Sequence, residues 1–312
     1  MRSMVVAAYL VLFSGLPVVS QAQQLAANSA INPDGLMLAS VSAAVAVVGE
    51  DELLHDKHAD RLVPIASLTK LMTALVVMES GQAMDEWLEV FPRHIPAEAN
   101  AYSRIRKGSE LRRRDLLRIS LMSSENLAAY TLARHHPGGY DAFVSDMNAT
   151  AARIGMAQSR FVDPTGLSAG NQSTARDLVR LANALLAYPE VGEMSASRYF
   201  TARFRQPRYS LAFGNTNALV HSQRWNVALT KTGFLDEAGR CLLMVSTIDG
   251  KPMVTVMLDS FGSRSPIGDA GRIRRWLVTG DSGRVAGAAY QYERKKNAHH
   301  AARGGTSTAS SQ

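Results

Sequence analysis

The chain has 312 residues, a formal net charge of +7, 46% hydrophobic residues and one cysteine, Cys241. That length can bury a full core without covalent staples, and a lone cysteine excludes an intramolecular disulfide. The positive surplus gathers from residue 284 onward, where Arg284, Arg294, Lys295, Lys296 and Arg303 are opposed only by Glu293. It therefore argues for a basic appendage rather than a nucleic-acid-binding fold, and no nucleic-acid partner is expected.

The N-terminus reads as an export signal. Arg2 gives a positive start, residues 4–19 are mostly apolar but broken by Ser14, Gly15 and Pro17, and Ser20-Gln21-Ala22 offers small residues where a signal peptidase reads. Cleavage near Ala22 and a periplasmic product are expected. Left uncleaved, the same segment would act as an anchor, although a spanning helix needs about 20 apolar residues without such breakers. No later segment is long and apolar enough to span a bilayer, so no stable membrane anchor is expected in the mature chain. Residues 23–37 read as a polar leader.

Residues 41–48, rich in Ala and Val, predict a buried strand, and residues 52–58 a second strand paired with it. Leu68, Leu71, Met72, Leu75, Val76 and Met78 recur at helical spacing, which predicts a buried helix starting near Ser67. Residues 85–190 are mainly helical in pattern, with Ser173-Thr174 capping a helix that Pro189 closes. Short apolar runs at 227–232, 241–248 and 253–258 predict strands, and residues 266–278 one closing helix. The tail at 281–312, with Gly-Gly and a Ser/Thr run but no apolar periodicity, reads as disordered. The expected class is α+β: an antiparallel sheet built from N- and C-terminal segments, with a helical subdomain inserted between them.

Three short patterns could carry chemistry, and each occurs once in the order Ser67-Leu68-Thr69-Lys70, Ser124-Glu125-Asn126 and Lys231-Thr232-Gly233. On a helix, residues i and i+3 share a face, so Lys70 can reach the Ser67 hydroxyl. A serine needs such a base to become a nucleophile, and a lysine serves if burial and a nearby cation lower its pKa. Lys231 is the natural cation. Ser124 could relay a proton and Asn126 hold a substrate amide. Lys231 and Thr232 could bind a carboxylate, Gly233 would let a substrate backbone lie against the strand, and the backbone N–H groups of Ser67 and Phe234 could form an oxyanion hole. Alone, each pattern also reads as a helix cap or a strand end.

Together with their surroundings, these motifs resemble the low-molecular-weight penicillin-binding proteins, the serine D-alanyl-D-alanine carboxypeptidase and endopeptidase family. The matching stretches are residues 64–74, 121–126, Asp163-Pro164-Thr165-Gly166-Leu167-Ser168 and Lys231-Thr232-Gly233-Phe234. The likeness spans roughly residues 38–277 and implies a β-lactamase/transpeptidase-like fold for a peptidase domain at 38–280. It implies Ser67 as acylated nucleophile, Lys70 as base, Ser124 in proton transfer, and Asn126, Lys231, Thr232 and Gly233 in substrate binding. Peptidoglycan stem peptides would be the substrate and β-lactam antibiotics covalent inhibitors, with no cofactor and no metal. The family's carboxypeptidases usually add a C-terminal β-rich domain and an anchoring helix; this sequence resembles the endopeptidase branch more, with the carboxypeptidase as the alternative. A β-lactamase would need a Glu-activated water, and no E-x-x-L-N segment is found. A catalytically idle wall-binding protein is the rival from another class.

Four further features stand apart from these motifs. The run Arg112-Arg113-Arg114 reads as a solvated helix face or an attractor of anionic wall polymers. His135-His136 read as surface residues, Arg240 as either a carboxylate contact or a strand-edge arginine, and Cys241 as core.

Overall fold

The computed structural model describes residue 32, residues 35–94 and residues 102–307. The expected export signal, its cleavage point and most of the leader lie outside the described residues. Eleven strands occur among the described residues: β1 (Ser40–Val47), β2 (Leu53–Lys57), β3 (Val63–Pro64), β4 (Trp87–Glu89), β5 (Glu110–Arg112), β6 (Gln172–Ser173), β7 (Tyr199–Phe204), β8 (Tyr209–Gly214), β9 (Asn226–Leu235), β10 (Gly239–Ile248) and β11 (Lys251–Ser260). The helices are α1 (Thr69–Glu79), α2 (Arg113–Met122), α3 (Asn126–Arg134), α4 (Gly139–Arg153), α5 (Ala175–Leu185), α6 (Pro189–Ser195), α7 (Ser265–Thr279) and α8 (Gly287–Ser307).

The main sheet is antiparallel, in the order β2-β1-β11-β10-β9. Strands from both ends of the chain therefore meet in one sheet, with the helical subdomain inserted between them. The small residues of β1 follow from its position, because the strand is buried along its whole length. Ala44 and Ala46 face the larger core with Leu71, Met72 and Leu75. Ala43, Val45 and Val47 face a second core with Ile273 and Trp276 of α7. A strand covered on both faces reads as a continuous apolar run, which is what made it legible. Asp269 of α7, fully buried, fastens this layer by accepting from the N–H groups of Ala39 and Ser40 at 2.9 and 2.8 Å.

On the other face, α1 runs through the middle of the subdomain, buried from Thr69 to Val77. The short β3–β6 ladder, with Pro64 opposite Gln172, draws residues 163–171 beneath the start of α1.

Three expectations need correction. Pro189 opens a helix, α6, rather than closing one; its fixed φ and missing N–H suit a first turn. The β7–β8 hairpin, with Ala202 opposite Leu211, stands where no strand was expected. Only Ala202, Phe204 and Phe213 of it are deeply buried, so its alternation is short. The expected disordered tail forms α8 over Gly287–Ser307. Its docking needs only a narrow stripe at three-to-four-residue spacing: Ala289 is buried with Ala39 and Val285, Tyr292 donates to Asp259, Glu293 pairs with Lys57 at 3.0 Å, and Lys296 pairs with Asp259 at 3.1 Å. Composition hid that stripe because most of its anchors are polar.

Candidate active site

Ser67 lies in a single 3₁₀ turn, Ala66–Leu68, that feeds directly into α1. The turn is sharp: Ala66 has φ +47°, a left-handed conformation that costs a non-glycine residue about 1–2 kcal/mol. Gly166 packs against it so closely that a Cβ there would stand 2.0 Å from Ala66 O. The Gly166 loop is organised by Asp163, whose carboxylate accepts from the N–H groups of Thr165, Gly166 and Ser168 at 2.6, 2.8 and 3.0 Å. Asp163 lies outside the three short motifs. The Asp-Pro-Thr-Gly turn chemistry was the available signal, since an aspartate there caps the N–H groups that follow it.

Lys70, one turn beyond Ser67, is fully buried. Its Nζ lies 2.9 Å from Ser67 Oγ, 2.7 Å from Asn126 Oδ1 and 2.5 Å from Thr165 O. Burial lowers its pKa to about 7; the carboxylates of Asp163 and Glu125 oppose that shift, and the Arg93 guanidinium adds to it. Arg93 belongs to none of the motifs and lies over the Tyr130 ring at 5.2 Å. Lys231 was the cation expected to act here. It is itself 1% exposed and pulled well below the ordinary lysine range by burial and then by the Lys70 charge. Two ammonium groups cannot both stay charged at low cost in one dry pocket.

Ser124 occupies the link between α2 and α3 with φ +62°, another left-handed non-glycine residue. Such strain persists where the surroundings over-determine it. Here Glu125 caps α3 by accepting from Leu127 N–H at 3.1 Å, and Asn126 opens the helix. Lys231 Nζ donates to Ser124 Oγ at 2.9 Å and to Thr232 O at 2.9 Å. The two lysines thus reach two different serines.

β9, which carries Lys231, Thr232 and Gly233, is the edge strand of the sheet and borders the Ser67 turn. A Cβ on Gly233 would stand 3.2 Å from Ser67 N and 3.1 Å from Ile65 O. An edge strand leaves one row of N–H and C=O groups open to a peptide that lies beside it. Ser67, Ser124, Asn126, Thr232, Gly233, Phe234 and Arg240 line one cleft of about 410 Å³. The Arg240 guanidinium stacks on the Phe234 ring at 3.8 Å at the cleft wall. Cys241, opposite Gly233 in the ladder, is buried, and burial pushes its thiol up to about 12.

The arginine run has another role than the one expected. Arg113 is 1% exposed and pairs with Glu86, while Arg112 and Arg114 pair with Asp85 at 3.2 and 2.8 Å. These side chains fasten α2 to the segment before β4. Neither histidine of the 135–136 pair is freely exposed: His135 stacks on Phe91, and His136 meets Asp146 at 2.8 Å.

Comparison with known proteins agrees with this geometry. The Peptidase_S11 model, described as D-alanyl-D-alanine carboxypeptidase, matches residues 28–262. The chain is 44% identical to the D-alanyl-D-alanine endopeptidase of Escherichia coli over 299 residues, covering 95% of this chain and 96% of that protein. It is 46% identical to the endopeptidase of that name from Pseudomonas aeruginosa, covering 83% and 84%. The crystal structure of penicillin-binding protein D2 from Listeria monocytogenes in its ampicillin-bound form superposes with a TM-score of 0.67 at 30% identity, covering 78% of this chain and 99% of that one. A serine–lysine pair at the head of a buried helix, a second serine–lysine pair across the cleft and this breadth of likeness converge: the chain belongs to Peptidase_S11, the D-alanyl-D-alanine carboxypeptidase family of serine DD-peptidases.

Proposed function

We propose that this protein is a DD-endopeptidase that opens D-alanyl cross-links in peptidoglycan through an acyl-enzyme on Ser67. The observation that carries the reading is the approach of Lys70 Nζ to Ser67 Oγ at 2.9 Å inside a fully buried setting. The neutral amine takes the Ser67 proton as Oγ attacks the D-alanyl carbonyl carbon. The oxyanion that forms is met by the backbone N–H groups of Ser67 and Phe234. Collapse expels the amine of the second stem peptide, which receives its proton through Ser124, held by the Lys231 ammonium. Water then hydrolyses the ester and frees Ser67. Asn126 holds the substrate amide, Gly233 admits its backbone beside β9, and Lys231 with Thr232 binds its carboxylate.

A β-lactam enters the same path, but its leaving nitrogen stays tethered to the acyl group, so the adduct persists. The two relatives above 40% identity that carry the name endopeptidase support the cross-link as substrate. Such a substrate lies outside the cytoplasm, and the apolar N-terminal segment with Ser20-Gln21-Ala22 supports export. The family's own description favours a second reading, a carboxypeptidase that removes a terminal D-alanine.

The test is intact mass against time with benzylpenicillin, using Ser67→Ala as control, followed by digestion of purified muropeptides. A lasting one-to-one adduct that maps to Ser67, with cross-linked dimers converted to monomers, is expected. Release of free D-alanine from pentapeptides with dimers untouched would establish the carboxypeptidase instead. Rapid drug turnover without an adduct would point to a β-lactamase. No adduct and no drug loss in folded protein would sink the catalytic reading.

A further inference from the structure

Thr216 lines the cleft from a segment outside every motif. It lies between β8 and the 3₁₀ turn Ala218–His221, and its backbone N–H donates to Met122 O at the end of α2 at 2.9 Å. On one side, the Asn215 side chain donates to Ser195 O and Ser197 O at 2.7 and 2.8 Å. On the other, Asn217 is 1% exposed and donates to Thr230 Oγ1 at 2.9 Å, two residues before Thr232 on β9. Asn215-Thr216-Asn217 is thereby tied to α2, to α6 and to β9 at once. Within those ties, the Thr216 hydroxyl stands 2.6 Å from the Thr232 hydroxyl.

Two hydroxyls in contact share one proton, and what else each meets decides which one donates. Among the described residues, Thr216 Oγ1 has one other acceptor nearby, Met122 O, at a long 3.4 Å. An ionised carboxyl can only accept, so a carboxylate at Thr232 needs that residue's own proton. Thr216 must then donate to Thr232, and a hydroxyl that receives a hydrogen bond is itself a stronger donor. We propose that Thr216 is a positioning residue for the substrate carboxylate: its hydroxyl donates to Thr232 Oγ1 and turns the Thr232 proton into the cleft. The backbone tie to Met122 and the flanking asparagines hold Thr216 at that distance, so the orientation is prepared before substrate arrives. This inference rests on reading Lys231 and Thr232 as the carboxylate-binding pair.

The test compares acylation by benzylpenicillin, which carries a carboxylate, with acylation by its methyl ester, which does not. Wild type, Thr216→Val, Thr216→Ser and Thr232→Val are measured side by side. Valine keeps the volume and the backbone tie while removing the hydroxyl. Thr216→Val should slow benzylpenicillin about tenfold, the scale of one hydrogen bond to a charged group, and leave the ester within about twofold. Thr216→Ser should restore the benzylpenicillin rate. Equal slowing of both compounds, or slowing of neither, overturns the proposal. A Thr232→Val enzyme that discriminates like wild type would show that the carboxylate reading has failed and the inference with it. Loss of discrimination at Thr232→Val without loss at Thr216→Val sinks the inference alone.

Discussion

Among the described residues, Lys70 Nζ is within hydrogen-bonding reach of three oxygens, but only one of them, Ser67 Oγ, carries a proton it could give away. A neutral amine has two N–H donors and one lone pair. With its donors directed to Asn126 Oδ1 and Thr165 O, the lone pair is left for the Ser67 hydroxyl. The two acceptors thus orient the amine as well as hold it, and the low pKa of about 7 makes the neutral form available near neutrality.

A pH profile follows from that arrangement. The rate of acylation by benzylpenicillin should rise as pH passes upward through about 7 if deprotonated Lys70 is the base, as proposed. Lys70→Arg, charged throughout, should lose about a thousandfold in rate, within the range of a general base. Stopped-flow acylation across this range checks both. A wild-type profile that falls over the same interval would remove Lys70 from the role of base.

The same shift bears on stability. Lys70 has a folded value lowered from 10.5 to about 7, so between these values the unfolded chain binds more protons than the folded one. Stability therefore rises with pH through that window, and the cost of burying the group is fully present below about 7. Lys70→Met lacks this term. Urea unfolding at pH values about two units apart within the window should move the wild type, relative to Lys70→Met, toward greater stability by about 2.5 kcal/mol as pH rises. An unchanged difference would mean that the amine is hydrated in the folded state.

The fold and the lysine–serine pairing were legible because they depend on local patterns. Ala44 and Ala46 against Ala43 and Val45 make a continuous apolar run, and Ser67 and Lys70 sit one turn apart in any helical geometry. Arg93, Asp163 and Thr216 lie outside the three short motifs. Arg93 acts on Lys70 through space from the segment after β4, and Asp163 acts through a loop that reaches α1 only once β3 pairs with β6. Thr216 meets Thr232 across the β9 edge. Single-sequence periodicity has no access to such long-range juxtapositions. The helix α8 is illegible in the sequence for a related reason: its polar contacts are with Lys57, Arg61 and Asp259, and a basic composition looks the same whether or not those partners exist.

Gly233→Ala probes the closeness of β9 to Ser67. The new Cβ would stand 3.1 to 3.2 Å from Ile65 O, Ala66 Cβ and Ser67 N, distances at which a neighbour must give way. Two of these atoms are backbone, Ile65 O at the entry to the Ser67 turn and Ser67 N within it, so the adjustment falls on one of the two N–H groups proposed to meet the oxyanion. Acylation should drop by about a hundredfold, the scale of one lost oxyanion donor, while stability falls by only about 1–2 kcal/mol. Acylation rates and urea midpoints on the same variant separate the two effects. A rate within a factor of two of wild type would show that the cleft does not use this approach.

Removing α8 tests whether the C-terminal segment is part of the fold. The helix covers Ala39 and Val285, donates from Tyr292 to the nearly buried Asp259, and pairs Glu293 with Lys57. Asp259 in turn packs against the β9–β10 turn, where a Cβ on Gly239 would stand 2.4 Å from its Oδ1. A chain ending before residue 287 leaves Asp259 without two of its partners, Tyr292 and Lys296. The expected loss is about 2–4 kcal/mol, which lowers Tm by roughly 5–15 °C in a domain of this size. Acylation of the truncated protein at low temperature should persist, because none of these contacts involves Ser67, Lys70, Ser124 or Lys231. Tyr292→Phe isolates one bond of the set and should cost about 1–2 kcal/mol without altering the acylation rate. If truncation leaves Tm unchanged, the polar stripe does not hold the helix against the sheet in solution. The segment would then be the unstructured basic tail that composition alone suggests.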